Sequence, residues 1–243
     1  IWITSQGNEC YGLDRGKHEL PELLNKIIDL QKNIKIRIGM MNPKDLKPIV
    51  DELIEIYKNK NIYKFLHIPI QSASNKILKS MKRPYTIEDV ELIINKFKDA
   101  IPDITIATDI ITGYPTELNE DYEKNIEFIK KIKPDVLNLS TFSKHKGTPA
   151  ESLTELPAKI ISNRNKEIMR IHRQTASDNK IKFLKRIIKV FVNKKINNSL
   201  FEARDENYNI ILISSNISIL GKTIPVSIGQ NGVHHMIGQI IEN

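Results

Sequence analysis

Two rhythms of apolar residues alternate along the first part of the chain. Short β-branched runs at Ile1–Thr4, Ile34–Gly39, Tyr63–Ile70, Ile104–Ile111 and Val136–Ser140 read as strands. Between them, apolar residues recur every three or four positions over Leu20–Gln31, Asp45–Lys58, Thr86–Lys98 and Asn119–Ile132, the spacing of amphipathic helices. Boundary residues agree: Pro21 falls in a first turn, Thr86 precedes Asp89 at capping-box spacing, and Pro102 and Pro134 follow helix ends. Apolar strands joined through helices predict a parallel sheet with right-handed crossovers. The strand ends fall near residues 5, 40, 71, 112 and 142, roughly one βα unit apart.

That repeat suits a closed barrel, an open partial barrel or a doubly wound sheet, and the polar residues help to choose. Ser5-Gln6, Met40-Met41-Asn42, His67 with Gln71-Ser72, Asp109 with Thr112-Gly113, and Ser140, Ser143 and His145 gather at the C-terminal ends of strands. Barrel enzymes place their chemistry there. Five units are too few to close an eight-fold barrel.

After Pro157 a helical pattern runs to about Arg186. The rhythm then changes to short strands at Ile187–Val192, Leu200–Ala203, Asn209–Ile213, Ile224–Ile228 and Val233–Ile241, separated by Asn, Gly and Asp turns. This resembles a small Greek-key barrel. Tyr208, Phe191, Phe201, His234 and His235 can either stack on bases or fill the core, and Phe191 is expected in the core.

Composition adds limits. Forty per cent apolar and 27% charged residues is an ordinary globular mixture. No run of about 18 apolar residues predicts a membrane helix, and the N-terminus lacks a signal-peptide layout. One cysteine excludes an internal disulfide and a self-contained Cys-ligated zinc or iron–sulfur site, so a cytoplasmic protein is expected. The net charge of +8 is concentrated: residues 157–186 carry nine Lys/Arg against two acids, while residues 1–156 are neutral. A basic stripe of this kind suits a phosphate backbone, and equally a solvated helix face.

Single motifs carry little. A histidine inside an apolar strand, such as His67, is more often a hydrogen-bonded core residue than a base. Asp109 is more informative, because a strand carboxylate must be paired or meet a ligand. His67 and Asp109 as acid and base of a cofactor-independent barrel enzyme remain an alternative. No P-loop, dinucleotide fingerprint, HExxH, GxSxG or CxxC pattern occurs.

In order, "IRIGMMNP", "YKFLHIPIQSASNKILKSMKRPYT", "ITIATDIITGYP", "KPDVLNLSTFS" and "KGTPA" resemble the radical S-adenosylmethionine (SAM) methylthiotransferases. They are most similar to the archaeal and eukaryotic branch acting on threonylcarbamoyladenosine in tRNA. "LPAKIISNRNKEIMRIHR" resembles that branch's linker helix, and "ARDENYNIILI", "LGKTIPVSI" and "GVHHMIGQII" resemble its TRAM domain, a small RNA-binding barrel. The resemblance implies a partial radical-SAM barrel over 1–156, a basic helical linker over 157–186 and a TRAM barrel over 187–243. It also implies that "IWITSQ" is the second barrel strand, so the N-terminal domain, the first strand and its CxxxCxxC cluster loop are expected to be missing.

By the same resemblance, Gln6, Met40, Asn42, Gln71, Ser72, Asp109, Gly113 and Phe142 would hold SAM. Arg164, Arg170, Arg173, Lys182, Lys185, Arg204, His234 and His235 would hold tRNA. The intact enzyme would use two 4Fe–4S clusters, none ligated by this chain, and an electron donor to reduce them. The expected function is the C-terminal part of a tRNA methylthiotransferase, inactive alone; the alternative is a non-catalytic RNA-binding remnant. Gly7 to Cys10, Thr116 and His145 depart from the family pattern, and Cys10 reads as a substitution rather than a cluster ligand.

Overall fold

The computed structural model describes residues 1–30 and 34–241. The expected helix end at Gln31 and the last two residues of the expected C-terminal barrel lie outside them. Five strands run parallel: β1 (Trp2–Ile3), β2 (Arg37–Ile38), β3 (Phe65–His67), β4 (Thr105–Thr112) and β5 (Val136–Thr141). β1 pairs with β2 and β3–β4–β5 form one sheet, while an Ile36–Ile62 bridge carries the pairing across. The order therefore follows the chain, as right-handed βα units require.

Helices α1 (Leu20–Asp29), α2 (Pro43–Leu46), α3 (Val50–Tyr57), α4 (Asn75–Ser80), α5 (Ile87–Ala100) and α6 (Asn119–Ile132) connect the strands. The helix expected over Asp45–Lys58 is broken, with a 3-10 turn at Lys47–Ile49 separating α2 from α3. Pro48 lacks the N–H that a continuous helix would need. The Thr86–Asp89 capping box is formed and opens α5. Alternate residues of β4 divide its two faces. Ile106, Thr108 and Ile110 are fully buried, and the two isoleucines join Ile93, Ile94 and Phe97 of α5 and Ile126 and Ile129 of α6 in one core. The other face, with Asp109, Asn138 and Ser140, is open.

α7 (Ala158–Ile181) is a single helix of 24 residues, about 36 Å long at 1.5 Å per residue. It packs on α6, β4 and β5 and then reaches the C-terminal strands. These are β6 (Ile187–Lys195), β7 (Leu200–Arg204), β8 (Ile210–Ser214), β9 (Thr223–Asn231) and β10 (Met236–Ile240), closed into a five-stranded barrel. All pairs are antiparallel except β8 with β10. Closure removes the exposed sheet edges of this module. Val190, Val192, Phe201, Ile211, Ile213, Val226, Ile228 and Met236 fill it. Phe191 does not: alternation along β6 turns it outward, 37% exposed, between the inward Val190 and Val192.

The two modules meet through the β7–β8 turn. Asp205 organises that turn, its Oδ1 accepting the N–H groups of Asn207 (3.0 Å) and Asn209 (2.8 Å). Tyr208, at φ 65°, is thereby presented to the N-terminal ends of the sheet strands. Its ring lies 4.8 Å from Tyr63 and 5.3 Å from Phe65, with the Arg37 guanidinium 5.3 Å away and Arg204 4.3 Å away. Lys64 N–H donates to Glu206 O at 2.8 Å, adding a backbone tie.

Candidate functional site

The open sheet face is polar where three strands run side by side. His67 of β3 lies 2.8 Å through Nε2 from Asp109 Oδ1 of β4, and Asn138 Nδ2 of β5 donates to that same oxygen at 2.7 Å. Burial pushes the Asp109 carboxyl up, but hydrogen bonding and charge from His67 and the Asn138 amide outweigh it, holding the group below the usual range. Asp109 is thus an anion on a ledge, with its side chain 26% exposed. Just above, Gln71 takes φ 65°; its N–H donates to Asp109 O and its carbonyl accepts Ile111 N–H, both at 2.9 Å. That local strain at a strand end fixes Gln71 beside the ledge.

The loop after β1 is stitched to β2 and α2. Asn8 donates through Nδ2 to Met40 O at 3.0 Å, and Asn42 Nδ2 donates to Glu9 Oε1 at 3.1 Å. Gly7 makes this possible, because a Cβ there would stand 2.5 Å from Glu9 Oε1. Glu9 is fully buried, whereas Gln6 and Cys10 are exposed. Partial burial, and then the neighbouring Glu9 carboxylate, push the Cys10 thiol up to about 11.

At the far strand end, Gly113 takes φ 77° and donates its N–H to Glu117 Oε2 at 3.1 Å, while Phe142 stacks edge-on against Tyr114 with centroids 5.0 Å apart. Thr112 Oγ1 donates to Asn165 Oδ1 and so ties α7 to β4. Of the eight residues expected at the cofactor, Gln71 and Asp109 are joined by a backbone hydrogen bond, Gly113 follows the end of β4, and Met40 and Asn42 bond to Asn8 and Glu9 of the loop in which Gln6 lies exposed. Ser72 does not reach this surface: it is fully buried and its hydroxyl accepts Ser74 N–H at 3.2 Å. Sequence reasoning misses Glu9, Asn138 and Asn165. Asn138 has a usable signal, since it lies in register with Asp109.

The cations expected at RNA divide sharply. Arg164 is buried, its Nη1 donating to Glu117 Oε2 at 2.7 Å with the guanidinium 4.9 Å over Tyr122. It is a structural cation, and the expected RNA contact is corrected. Lys182 is paired with Asp103, and Arg204 with Glu202 at 2.9 Å and the Tyr208 ring. Arg170, Arg173 and Lys185 are exposed with no acidic partner among the described residues, as is Arg186. His234 is exposed and His235 half-buried.

A parallel βα half-barrel with an open polar face and its polar loops at the strand C-termini is a radical-SAM architecture. The chain belongs to the radical SAM superfamily, whose profile matches residues 4–129. It is 38% identical over 240 residues to a probable threonylcarbamoyladenosine tRNA methylthiotransferase of Archaeoglobus fulgidus, covering 99% of this chain and 56% of that protein. It is 32% identical to the human threonylcarbamoyladenosine tRNA methylthiotransferase, covering all of this chain and 42% of that protein. The chain thus spans about half the length of the curated relatives it matches. Among solved structures, coproporphyrinogen III oxidase from Escherichia coli, a radical SAM enzyme, shares the fold at TM-score 0.50 and 14% identity. That match covers 64% of this chain and 37% of the other.

The superfamily implies SAM and a 4Fe–4S cluster. SAM fits the open ledge: its sulfonium and amino groups suit the Asp109 anion, and the Asn138 amide adds a polar partner on the same exposed face. The cluster does not fit the residues present. A 4Fe–4S centre takes several thiolates, and Cys10 is the single cysteine of the sequence, flanked by carboxylates. Among the described residues, no helix is long and apolar enough to cross a membrane.

Proposed function

We propose that the chain is the SAM-ledge and RNA-holding part of a tRNA methylthiotransferase acting on threonylcarbamoyladenosine. The observation that carries this reading is that relatives so named align along essentially the whole chain, through half-barrel, helix and β-barrel alike. Residues 1–156 would form the partial radical-SAM barrel, 157–186 the basic linker and 187–243 a TRAM-type barrel. Asp109, with Gln71, Gln6 and Met40, would orient SAM, and His67 and Asn138 would hold Asp109 ionised. SAM supplies the radical-generating sulfonium and the methyl group; this chain's part is to bind and orient it. With one thiol, the chain alone would not cleave SAM, and the second cluster and electron donor of the intact enzyme belong to the same proposal.

The exposed cations Arg170, Arg173, Lys185 and Arg186 would meet phosphates, which position the RNA without reading its sequence. Neutralising all four should flatten the salt dependence of tRNA binding, lowering the log–log slope by about 3–4, near 0.9 for each phosphate left without its cation. Filter binding between about 50 and 200 mM salt measures the slope. An unchanged slope would remove the RNA-holding role. Tighter binding of threonylcarbamoyl-modified than unmodified tRNA separates this function from a general RNA-binding remnant.

A further inference from the structure

The loop after β1 carries chemistry that SAM binding does not use. Asn8–Cys10 forms a 3-10 turn that directs Glu9 inward and leaves Cys10 at the surface. Glu9 Oε1 is met by Asn42 Nδ2 at 3.1 Å and Cys10 Sγ at 3.4 Å, yet its Oε2 is buried with no hydrogen-bond partner. Asp45, on α2, brings its Oδ2 to 4.0 Å from Cys10 Sγ. One ligand atom from each of Glu9, Cys10 and Asp45 lies within 4.8 Å of the other two. We propose that these three side chains form a binding site for a thiophilic divalent cation of the zinc class, its fourth position open to solvent.

A cysteine beside two acids would not by itself indicate a site; the orphaned oxygen does. A fully buried carboxylate with an unpartnered oxygen is costly unless a cation or a proton answers it. No Lys, Arg or His among the described residues forms an ion pair with Glu9; Lys44 approaches Asp45 instead, at 3.8 Å. The spacing also fits at Oε1, the other oxygen of the same carboxylate. Tetrahedral zinc, with bonds of about 2.3 Å to sulfur and about 2.0 Å to oxygen, holds S and O roughly 3.5 Å apart. The two sulfur–oxygen separations, 3.4 and 4.0 Å, bracket that value.

Ligand chemistry sets the class. Magnesium and calcium seek cages of oxygen, whereas a thiolate selects a softer ion. As the metal–sulfur bond forms, the Cys10 thiol releases its proton to water, and the two carboxylates ligate as anions. Asn42 would orient Glu9 from outside the coordination sphere. Gly7 leaves the room that Glu9 occupies, so the departure of residues 7–10 from the family pattern acquires a common cause.

The test uses the whole 243-residue chain, stripped with EDTA and titrated with Co2+ as a spectroscopic substitute. One equivalent should produce a thiolate-to-cobalt charge-transfer band that Zn2+ displaces and Mg2+ does not. Zn2+ should slow alkylation of Cys10 by about tenfold or more, and Asp45→Asn should weaken Co2+ binding by a similar factor. Cys10→Ser, at an exposed position, should abolish the band without changing the circular dichroism. Absence of the band, or alkylation indifferent to Zn2+, would overturn the proposal. So would unchanged Co2+ affinity in a folded Asp45→Asn, since the ion would then sit on the thiol alone.

Discussion

Replacing Arg164 by alanine separates a structural cation from an RNA contact. The guanidinium is buried against Glu117, a carboxylate with no exposed side-chain surface, and the same Oε2 also accepts the Gly113 N–H. Removing the arginine leaves that carboxylate buried without its counter-charge, which costs about 3–5 kcal/mol. At about 2–4 °C per kcal/mol for a chain of this size, the midpoint of thermal unfolding should fall by roughly 6–20 °C. Burial already raises the Glu117 carboxyl above its ordinary value, with the Gly113 N–H and Arg164 opposing it. Without Arg164 it rises further, so the folded state takes up a proton that the unfolded state does not. The deficit should therefore be smaller near pH 5 than near pH 8, because stability falls as pH rises through that window. Urea unfolding at both pH values measures this, and an Arg164→Met, Glu117→Leu double variant should recover most of the stability. A deficit under about 1 kcal/mol, well below the buried-pair range, would refute the reasoning. So would loss of tRNA binding with stability intact.

Three further outcomes follow from other parts of the molecule. His172 is 2% exposed, and burial, then the Lys180 and His234 charges, lower it from 6.5 to about 4; stability should decline as pH falls from 6.5 towards 4, by about 3 kcal/mol. Urea midpoints across that range should flatten in His172→Leu. Gly113→Ala places a Cβ 2.7 Å from Ile161 Cδ1 at φ 77°, so a loss of about 1–2 kcal/mol or more is expected in the same assay. Tyr208→Ala removes the half-buried ring packed on Tyr63 and Phe65 and should cost about 1–3 kcal/mol, less than a fully buried aromatic, with faster proteolysis between the modules.

Where apolar periodicity is sustained, the elements are legible. α5 and α6 fall within a few residues of their expected ranges, and β4 is shifted by one. The strands expected over Ile1–Thr4 and Ile34–Gly39 shrink to two residues each, because hydrophobicity does not reveal how far a ladder extends. The polar ledge is half legible. Asp109 stands out as a carboxylate within an apolar run, but Asn138 matters through its register with Asp109. Arg164 shows the converse failure. Most cations of the basic stripe face water, yet Arg164 is turned inward to a carboxylate 47 residues away in sequence and Lys180 is buried as well, and local charge density contains no sign of either. Phe191 escapes its expected place for a similar reason, since a one-residue phase along β6 decides which side chain enters the barrel.

The Tyr208 junction gives the open sheet face a floor. Tyr63, Phe65, Tyr208 and the Arg37 guanidinium pack together at the N-terminal side of the strands, opposite the end at which Gln71 and Gly113 lie. That floor is supplied by the β-barrel and is held by its own Asp205 turn. A change on the barrel therefore meets β2 and β3 directly, through the Tyr208 ring against Arg37, Tyr63 and Phe65. The two modules thus share a wall.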